Sequence, residues 1–210
     1  MSDEQKSRIL VIGASGELGR AVVAELKDRH EIITAGSNSG DIRIDIENPA
    51  SIVAGLAKAG PLDAVACAAG KVNFKPLGAI APATAAQSDY GLGLTNKLMG
   101  QVNLTLAARD VVRDGGSITL ISGILADEPI RFGSSASMVN AAVEAFARSA
   151  AIELPRGLRI NVVSPNVFVE SMGGYGPFFR GFVAVPVAKA ALAFSRSIEG
   201  AQTGQVYKVL

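Results

Sequence analysis

Short apolar runs alternate with helical patterns along most of the chain. The first run, Ile9 to Ile12, ends at a glycine and is typical of a strand buried on both faces of a parallel sheet. A helical pattern begins at Ala21 and continues to about His30. Similar apolar runs predict further strands at positions 30–35, 62–66, 117–121, 158–163 and 206–209.

Helices are predicted between these strands. Asn48 as N-cap and Pro49 as first helical residue begin a helix that ends near Lys58. Later helical patterns cover 84–113, with a break near 90–93, then 134–154 and 186–198. Positions 41–46 predict a short third strand, and only about five residues connect it to the second strand, too few for a helical crossover.

This alternation predicts one α/β domain over residues 1–210. Its core is an open, doubly wound, Rossmann-type parallel sheet of roughly six to seven strands. Ligands bind beyond the carboxyl ends of the strands in such sheets, so the residues that follow each strand are the candidate site. Residues 169–185 lack a regular pattern and combine glycines with phenylalanines, which predicts a substrate lid.

A glycine-rich turn joins the first strand to the first helix. Gly13, Gly16 and Gly19 are spaced G-x-x-G-x-x-G. Gly13 permits a tight turn, Gly16 lets backbone N–H groups approach a pyrophosphate, and Gly19 lets the helix pack closely on the strand. The N-terminus of the helix adds partial positive charge. The turn therefore predicts a nucleotide site.

The tip of the second strand bears on the choice of dinucleotide. An acidic residue there would hold a free 2′-hydroxyl and favour NAD, but no acid occurs before Asp41. Ser37, Asn38 and Ser39 can hydrogen-bond a 2′-phosphate, although no Arg or Lys accompanies them. NADP(H) is therefore expected rather than NAD(H).

Composition excludes several other classes of protein. The net charge is +1 without a basic stripe, so nucleic acid is not an expected partner, and no apolar segment is long enough to cross a membrane. Met1 to Arg8 is polar and does not resemble a signal peptide, and the single Cys67 fits a reducing cytoplasm. The single histidine, His30, is expected at the surface, far from the carboxyl edge of the sheet. A Ser-His-Asp hydrolase and a zinc centre are therefore not expected.

The order and spacing of these features resemble the short-chain dehydrogenase/reductase superfamily over nearly the whole chain. The matching segments are Gly13 to Gly19, Asp45-Ile46, Ala68-Ala69-Gly70, Ile121-Ser122, positions 160–165 and 203–206. The resemblance implies a set of cofactor contacts. Pyrophosphate would lie on Gly13, Ser15, Gly16, Glu17, Leu18 and Gly19, adenine beside Asp45 and Ile46, ribose along Ala68, Ala69 and Gly70, and nicotinamide against Pro165, Val167 and Phe168.

The chain departs from this family at its catalytic residues. The middle glycine of the turn is shifted and Glu17 takes its place. The family's Tyr-x-x-x-Lys pair aligns with Ala136 and Asn140, and its catalytic Asn aligns with Lys97. Of that catalytic set only Ser122 remains, and the helix between the second and third strands (the family's αC segment) is missing. The chain therefore resembles a short, divergent subgroup.

Four side chains remain as catalytic candidates. Lys97 can donate a proton or stabilise a developing oxyanion if burial lowers its pKa. Ser122 can orient a substrate oxygen, Asn140 can bond ribose hydroxyls, and Tyr175 on the predicted lid is a surrogate acid or a wall of the pocket.

Several functions stay open at this point. The first is an NADP-preferring oxidoreductase that reduces a small carbonyl, enone or imine, since a conjugated C=C or an imine needs less help from the lost tyrosine. The others are a sensor or regulatory protein that binds the nucleotide without turnover, a non-redox isomerase or lyase, and a structural subunit, against which the glycine turn argues. The alanine-rich helices predict a homodimer or homotetramer, as is common in the family.

Overall fold

The computed structural model describes residues 6–210 and contains one seven-stranded parallel sheet. The interpretation of Met1 to Arg8 thus concerns residues that lie mostly outside the described part. In chain order the strands are β1 (Arg8–Ile12), β2 (Glu31–Gly36), β3 (Ile42–Arg43), β4 (Leu62–Cys67), β5 (Val112–Ile121), β6 (Arg159–Pro165) and β7 (Val206–Val209). They lie in the order β3-β2-β1-β4-β5-β6-β7, which confirms the doubly wound sheet.

Helices cover both faces of this sheet. They are α1 (Glu17–Leu26), α2 (Pro49–Ala59), α3 (Gly100–Ala108), α4 (Ser134–Glu153), α5 (Met172–Tyr175) and α6 (Val187–Glu199), and a π-helix (Gly93–Met99) leads into α3. Helices α1 and α6 pack on one face, and α2, α3 and α4 pack on the other. Within residues 6–210, none of these helices has the length and apolar character that crossing a bilayer requires.

Strand β1 shows how the sequence pattern builds both layers of the core. Its side chains alternate between faces, so Ile9 and Val11 pack with Phe194 of α6, whereas Leu10 and Ile12 pack with the α2–α4 layer. All four β1 side chains are essentially inaccessible to solvent. Each such burial contributes about 1.5–3 kcal/mol, which explains why a continuous apolar run is required here.

Local signals at α2 and β3 are confirmed. Asn48 accepts hydrogen bonds from the backbone N–H groups of Ala50 at 3.0 Å and Ser51 at 3.3 Å, with Pro49 as the first helical residue. Strand β3 is only two residues long and pairs with the end of β2. No helix separates β2 from β3 in the described structure, as the short linker required.

The long helix predicted over 84–113 is wrong at both ends. Residues before Gly91 form turns, since the Asp89 carboxylate pairs with Lys75 at 2.9 Å and the Asp89 carbonyl accepts a bond from Asn73. At the other end α3 stops at Ala108, and Val112 already belongs to β5. Tertiary contacts therefore override the local helical pattern at both ends.

Candidate functional site

The glycine turn has the geometry that its spacing predicts. Gly13 has φ +79° and donates its N–H to the Ala35 carbonyl at 2.8 Å. A Cβ on Gly13 would lie 2.9 Å from the Ala68 carbonyl oxygen, and a Cβ on Gly19 would lie 2.0 Å from the Gly13 oxygen. Both positions therefore require glycine for packing. Leu18 is buried beneath the turn.

Gly16 is less crowded than Gly13 and Gly19. A Cβ there would meet only the Gly13 oxygen, at 3.3 Å. Gly16 is the N-cap of α1 and has no side chain that could accept hydrogen bonds from the first backbone N–H groups of the helix. This uncapped N-terminus is suited to an anion such as a pyrophosphate.

A polar cavity of about 420 Å³ opens beside this turn, at the carboxyl ends of β1, β2 and β4. We call it the polar cavity. It brings together nine of the residues expected to bind cofactor: Gly13, Ser15, Ser37, Asn38, Ser39, Asp45, Ile46, Ala69 and Gly70. Glu47, Lys71 and Asn96 also line it, and Asn96 Oδ1 accepts a hydrogen bond from the Lys71 N–H. The residues present fit an extended nucleotide with a phosphate at the glycine turn.

Two charged groups border the glycine turn. Arg20, which the sequence analysis did not select, donates from its guanidinium to the Ser15 carbonyl at the edge of the polar cavity. Glu17, which replaces a family glycine, accepts a 2.7 Å hydrogen bond from the hydroxyl of Ser171. Ser171 lies just before α5 in the predicted lid, so this contact ties the glycine turn to residues 169–185.

A second cavity of about 220 Å³ lies beyond the ends of β5 and β6. We call it the apolar cavity, since most of its walls are hydrocarbon. All four catalytic candidates line it: Lys97, Ser122, Asn140 and Tyr175. The other lining residues are Val72, Phe74, Gly123, Ile124, Leu125, Ala136, Pro165, Asn166, Val167, Phe168, Ser171 and Phe179. The expected nicotinamide contacts Pro165, Val167 and Phe168 are therefore on this wall.

Lys97 lines the apolar cavity and packs against Gly70, which lines the polar cavity. Its side chain is 9% exposed, and its Nζ donates to the Ser122 carbonyl at 3.0 Å. Burial lowers the pKa of Lys97 to about 8, and nearby Cys67 and Glu144 only partly oppose this. Gly70, from the polar cavity, makes room for the lysine, because a Cβ there would lie 2.7 Å from Lys97 Cγ.

The backbone around Lys97 is also unusual. The residue lies within the π-helix Gly93–Met99, a rare conformation that often occurs at functional sites. Gln101, one turn further on, is fully buried and holds β5 in place. Its amide donates to the Ile121 carbonyl at 2.9 Å and accepts from the Ile121 N–H at 2.8 Å. The strand end that presents Ser122 is thus fixed by the same helix that carries Lys97.

Ser122 has a partner that the sequence analysis did not identify. Its hydroxyl donates to the carboxylate of Glu144 at 2.8 Å, and both residues are 4% exposed. Arg148 lies 3.9 Å from the other carboxylate oxygen of Glu144 and is the nearest cation given by the described residues. A glutamate within an alanine-rich helix, one turn after Asn140, was the available signal for this contact.

Asn140 and Ala136 are about one helical turn apart on α4, and both side chains line the apolar cavity. The Asn140 amide nitrogen donates to the Gly123 carbonyl at 3.4 Å, whereas its Oδ1 is buried without a partner in the described residues. An unpaired buried carbonyl is costly, so this oxygen is an unusual feature of the site. The small side chain of Ala136 leaves the space beside it open.

The tyrosines and the histidine occupy different places. Tyr175 is 44% exposed and stacks on Phe74 and Phe179 at centroid distances of 5.8 and 6.4 Å. Tyr90 lies in a turn just before the π-helix that carries Lys97, and its hydroxyl lies 3.1 Å from Ser134 Oγ. His30 lies at the amino end of β2, but the expectation of a surface position is wrong, because it is half-buried and 2.8 Å from Glu199.

Comparison with known proteins identifies the family. Residues 4–207 match the family model described as Enoyl-(Acyl carrier protein) reductase. The chain belongs to the short-chain dehydrogenase/reductase superfamily. The protein lin1944 from Listeria innocua is 48% identical, with a TM-score of 0.93 over 97% of this chain and 100% of that one. No curated protein matches the chain significantly.

More distant members of this superfamily share the fold. A small-chain dehydrogenase in complex with NADPH is 22% identical, with a TM-score of 0.83 over 97% of this chain and 96% of that one. A glucose/ribitol dehydrogenase-type member from Brucella melitensis is 18% identical, with a TM-score of 0.80 over 97% and 94%. Residues 6–210 contain no cluster of three or more His, Cys, Asp or Glu side chains that could hold a metal ion.

Proposed function

We propose that this superfamily member is an NADP(H)-dependent oxidoreductase that reduces a small carbonyl, enone or imine with an apolar substituent. The observation that carries the proposal is the buried Lys97, which lines the apolar cavity and packs against Gly70 of the polar cavity. A dinucleotide along the polar cavity would place its reactive end near this lysine and against Pro165, Val167 and Phe168. The apolar cavity would then hold the substrate.

Two residues close in sequence to the walls of the polar cavity support the preference for NADP(H). The carboxylate of Asp41, the first acid after β2, accepts bonds from the N–H and hydroxyl of Thr34 at 2.9 and 2.7 Å. These bonds hold the pKa of Asp41 below its usual range. They also occupy the carboxylate within its own turn, so it would not serve as the acid that binds a free 2′-hydroxyl of NAD. Arg20, which binds the Ser15 carbonyl at the edge of this cavity, would supply a cation to a phosphate there through charge-assisted bonds.

In this mechanism Lys97 would be the proton donor in place of the missing tyrosine. NADPH would supply the hydride. Negative charge would develop on the substrate oxygen during the hydride transfer. The Lys97 ammonium would stabilise that charge and donate a proton from Nζ, for which a pKa of about 8 is well suited near neutral pH. Asn140, on the wall of the apolar cavity, would contact the ribose or the substrate, and the Glu144 contact would orient Ser122.

A conjugated C=C bond is the substrate group that this set of residues favours most. Its reduction gives an enolate, which a nearby ammonium stabilises without a tyrosine acid. The description of the matching family model, an enoyl reductase, agrees with this preference.

The second candidate function is nucleotide binding without turnover, in a sensor or regulatory protein. Ala136 favours it, since no acid replaces the tyrosine at that position on α4. A protein of this kind would bind NADPH but fail to oxidise it with any acceptor. An isomerase or lyase on the same scaffold would act without net oxidation of NADPH.

Assembly and location complete the proposal. We expect a homodimer or homotetramer through α3 and α4, whose outer faces expose Leu106 (45%) and Ile152 (86%). Sedimentation velocity at micromolar concentration tests this, and a monomer would contradict it. A cytoplasmic location agrees with the single free Cys67.

Turnover tests the proposal directly. Purified protein is given NADPH and a panel of small aromatic ketones, enones and imines, and NADPH oxidation is followed. We expect turnover with at least one acceptor and its loss in Lys97→Met, with NADPH binding retained. Binding without turnover across the panel would favour the second candidate, whereas equal rates in Lys97→Met would refute the role of the lysine.

A further inference from the structure

The environment of Lys97 is unusual for an amine even without a dinucleotide. Among the described residues that line the apolar cavity, Lys97 alone carries a charge. It forms no ion pair within residues 6–210, where Lys75 and Lys208 are the lysines that do. Its Nζ has one protein acceptor, the Ser122 carbonyl, so the rest of the amine remains available to a molecule in the cavity.

We propose that Lys97 is a nucleophile that forms an iminium adduct with small aldehydes or ketones carrying an apolar group. A lysine activated by desolvation in an apolar pocket is a recognised route to covalent catalysis. This activity would be additional to hydride transfer, and it needs no bound dinucleotide. Its substrates would share the size and apolar character of the cavity, which holds about 220 Å³.

The protonation state of Lys97 supports this chemistry. With a pKa of about 8, about a tenth of the side chain is neutral at pH 7, far more than for an ordinary lysine. Cys67 on β4 and Glu144 on α4 are the titratable groups that influence it. Burial raises the pKa of Cys67 to about 11, so its thiol stays neutral and leaves Lys97 without a thiolate partner.

The reaction balances without an oxidant or a reductant. The neutral Nζ adds to the carbonyl carbon, and the carbonyl oxygen becomes the hydroxyl of a carbinolamine. That hydroxyl takes a proton and leaves as water while the C=N bond forms. Overall, one ammonium and one carbonyl compound give one iminium ion and one water molecule.

Reductive trapping tests this proposal on the full chain. The protein is incubated at pH 8 with phenylacetone and sodium cyanoborohydride, without added dinucleotide, and the modified peptides are mapped by mass spectrometry. We expect one dominant adduct, at Lys97, in roughly tenfold or greater excess over any exposed lysine because neutral amine is more abundant there. Lys75, which is 40% exposed and paired with Asp89, is the internal control.

Variants and a parallel titration separate the outcomes. Lys97→Arg keeps the charge but removes the nucleophile, and it should lose the adduct while retaining the folded circular dichroism spectrum. Adducts spread over surface lysines, with none at Lys97 in the wild type, would overturn the proposal whatever the variants do. NADPH titration of the same preparation tests the oxidoreductase proposal separately. Trapping at Lys97 without NADPH binding would support the nucleophile and refute the oxidoreductase. NADPH binding without trapping would refute the nucleophile and leave the oxidoreductase supported.

Discussion

Replacing Lys97 by Met should stabilise the protein near neutral pH. Methionine has a similar length and flexibility, packs well in apolar surroundings and favours helix formation. The wild-type lysine must carry its charge into a site where its side chain is 9% exposed and where no carboxylate pairs with it within residues 6–210. A functional residue retained at a cost in stability is expected to behave in this way.

The pKa of Lys97 sets the size of the effect. A decrease from 10.5 to about 8 corresponds to about 3 kcal/mol against the charged folded state. Loss of the Nζ bond to the Ser122 carbonyl offsets about 1 kcal/mol of the gain. The free energy of unfolding of Lys97→Met at pH 7 should therefore be about 2 kcal/mol higher than that of the wild type.

The pH dependence has a definite sign. Between the folded pKa of about 8 and the unfolded value near 10.5, the unfolded chain binds more protons than the folded one. Wild-type stability from this group therefore rises with pH across that window, and the advantage of the variant shrinks. Urea unfolding at pH 7 and pH 10 measures both quantities, and Lys58→Met, on the exposed surface of α2, is the control expected to change little. A Lys97→Met protein that is less stable than the wild type at pH 7 would refute the argument.

Four other variants test the site. Gly16→Asp should weaken NADPH binding at least tenfold in calorimetry, because its carboxylate would repel a phosphate at the N-terminus of α1. Gly16→Ala is the matched control, since it adds the same Cβ, 3.3 Å from the Gly13 oxygen, without the charge; equal affinity of the two variants would argue against a phosphate at α1. Gly70→Ala should reduce turnover by displacing the Lys97 side chain, whose Cγ would lie 2.7 Å from the new Cβ; an unchanged rate would mean that the lysine position is not important. Arg20→Ala should raise the Kd for NADPH roughly tenfold but leave that for NADH unchanged, and an equal effect on both would contradict the 2′-phosphate contact. Tyr175→Phe should change kcat by less than about threefold, since the exposed ring packs on neighbouring aromatic rings; a loss of about a hundredfold would identify it as the general acid.

Local sequence patterns were sufficient for most of the fold. The helix start at Asn48 and Pro49, the tight turn at Gly13 and the close packing at Gly19 depend on neighbouring residues along the chain, and all are confirmed. The third strand also forms, but it covers only Ile42–Arg43 of the predicted 41–46. The segment before Gly91 could not be predicted in this way. Its conformation depends on contacts with the loop around residue 75, which no local pattern specifies.

The candidate site was predictable in position but not in its interactions. Strand ends indicated that Ser122 and Gly70 lie along one edge of the sheet, and Lys97 was placed there through the resemblance. The contact of Ser122 with Glu144 joins β5 to α4, and the contact of Arg20 with Ser15 depends on how α1 leaves the turn. Such pairings depend on three-dimensional packing, so the sequence pattern could suggest the residues but not their partners.

The most direct test of the central claim is calorimetric titration of the full chain with NADPH and with NADH. The account predicts one site per chain that binds NADPH more tightly than NADH, with Gly16→Asp abolishing most of the heat. No binding of either dinucleotide would contradict it, and the oxidoreductase proposal would then have to be abandoned.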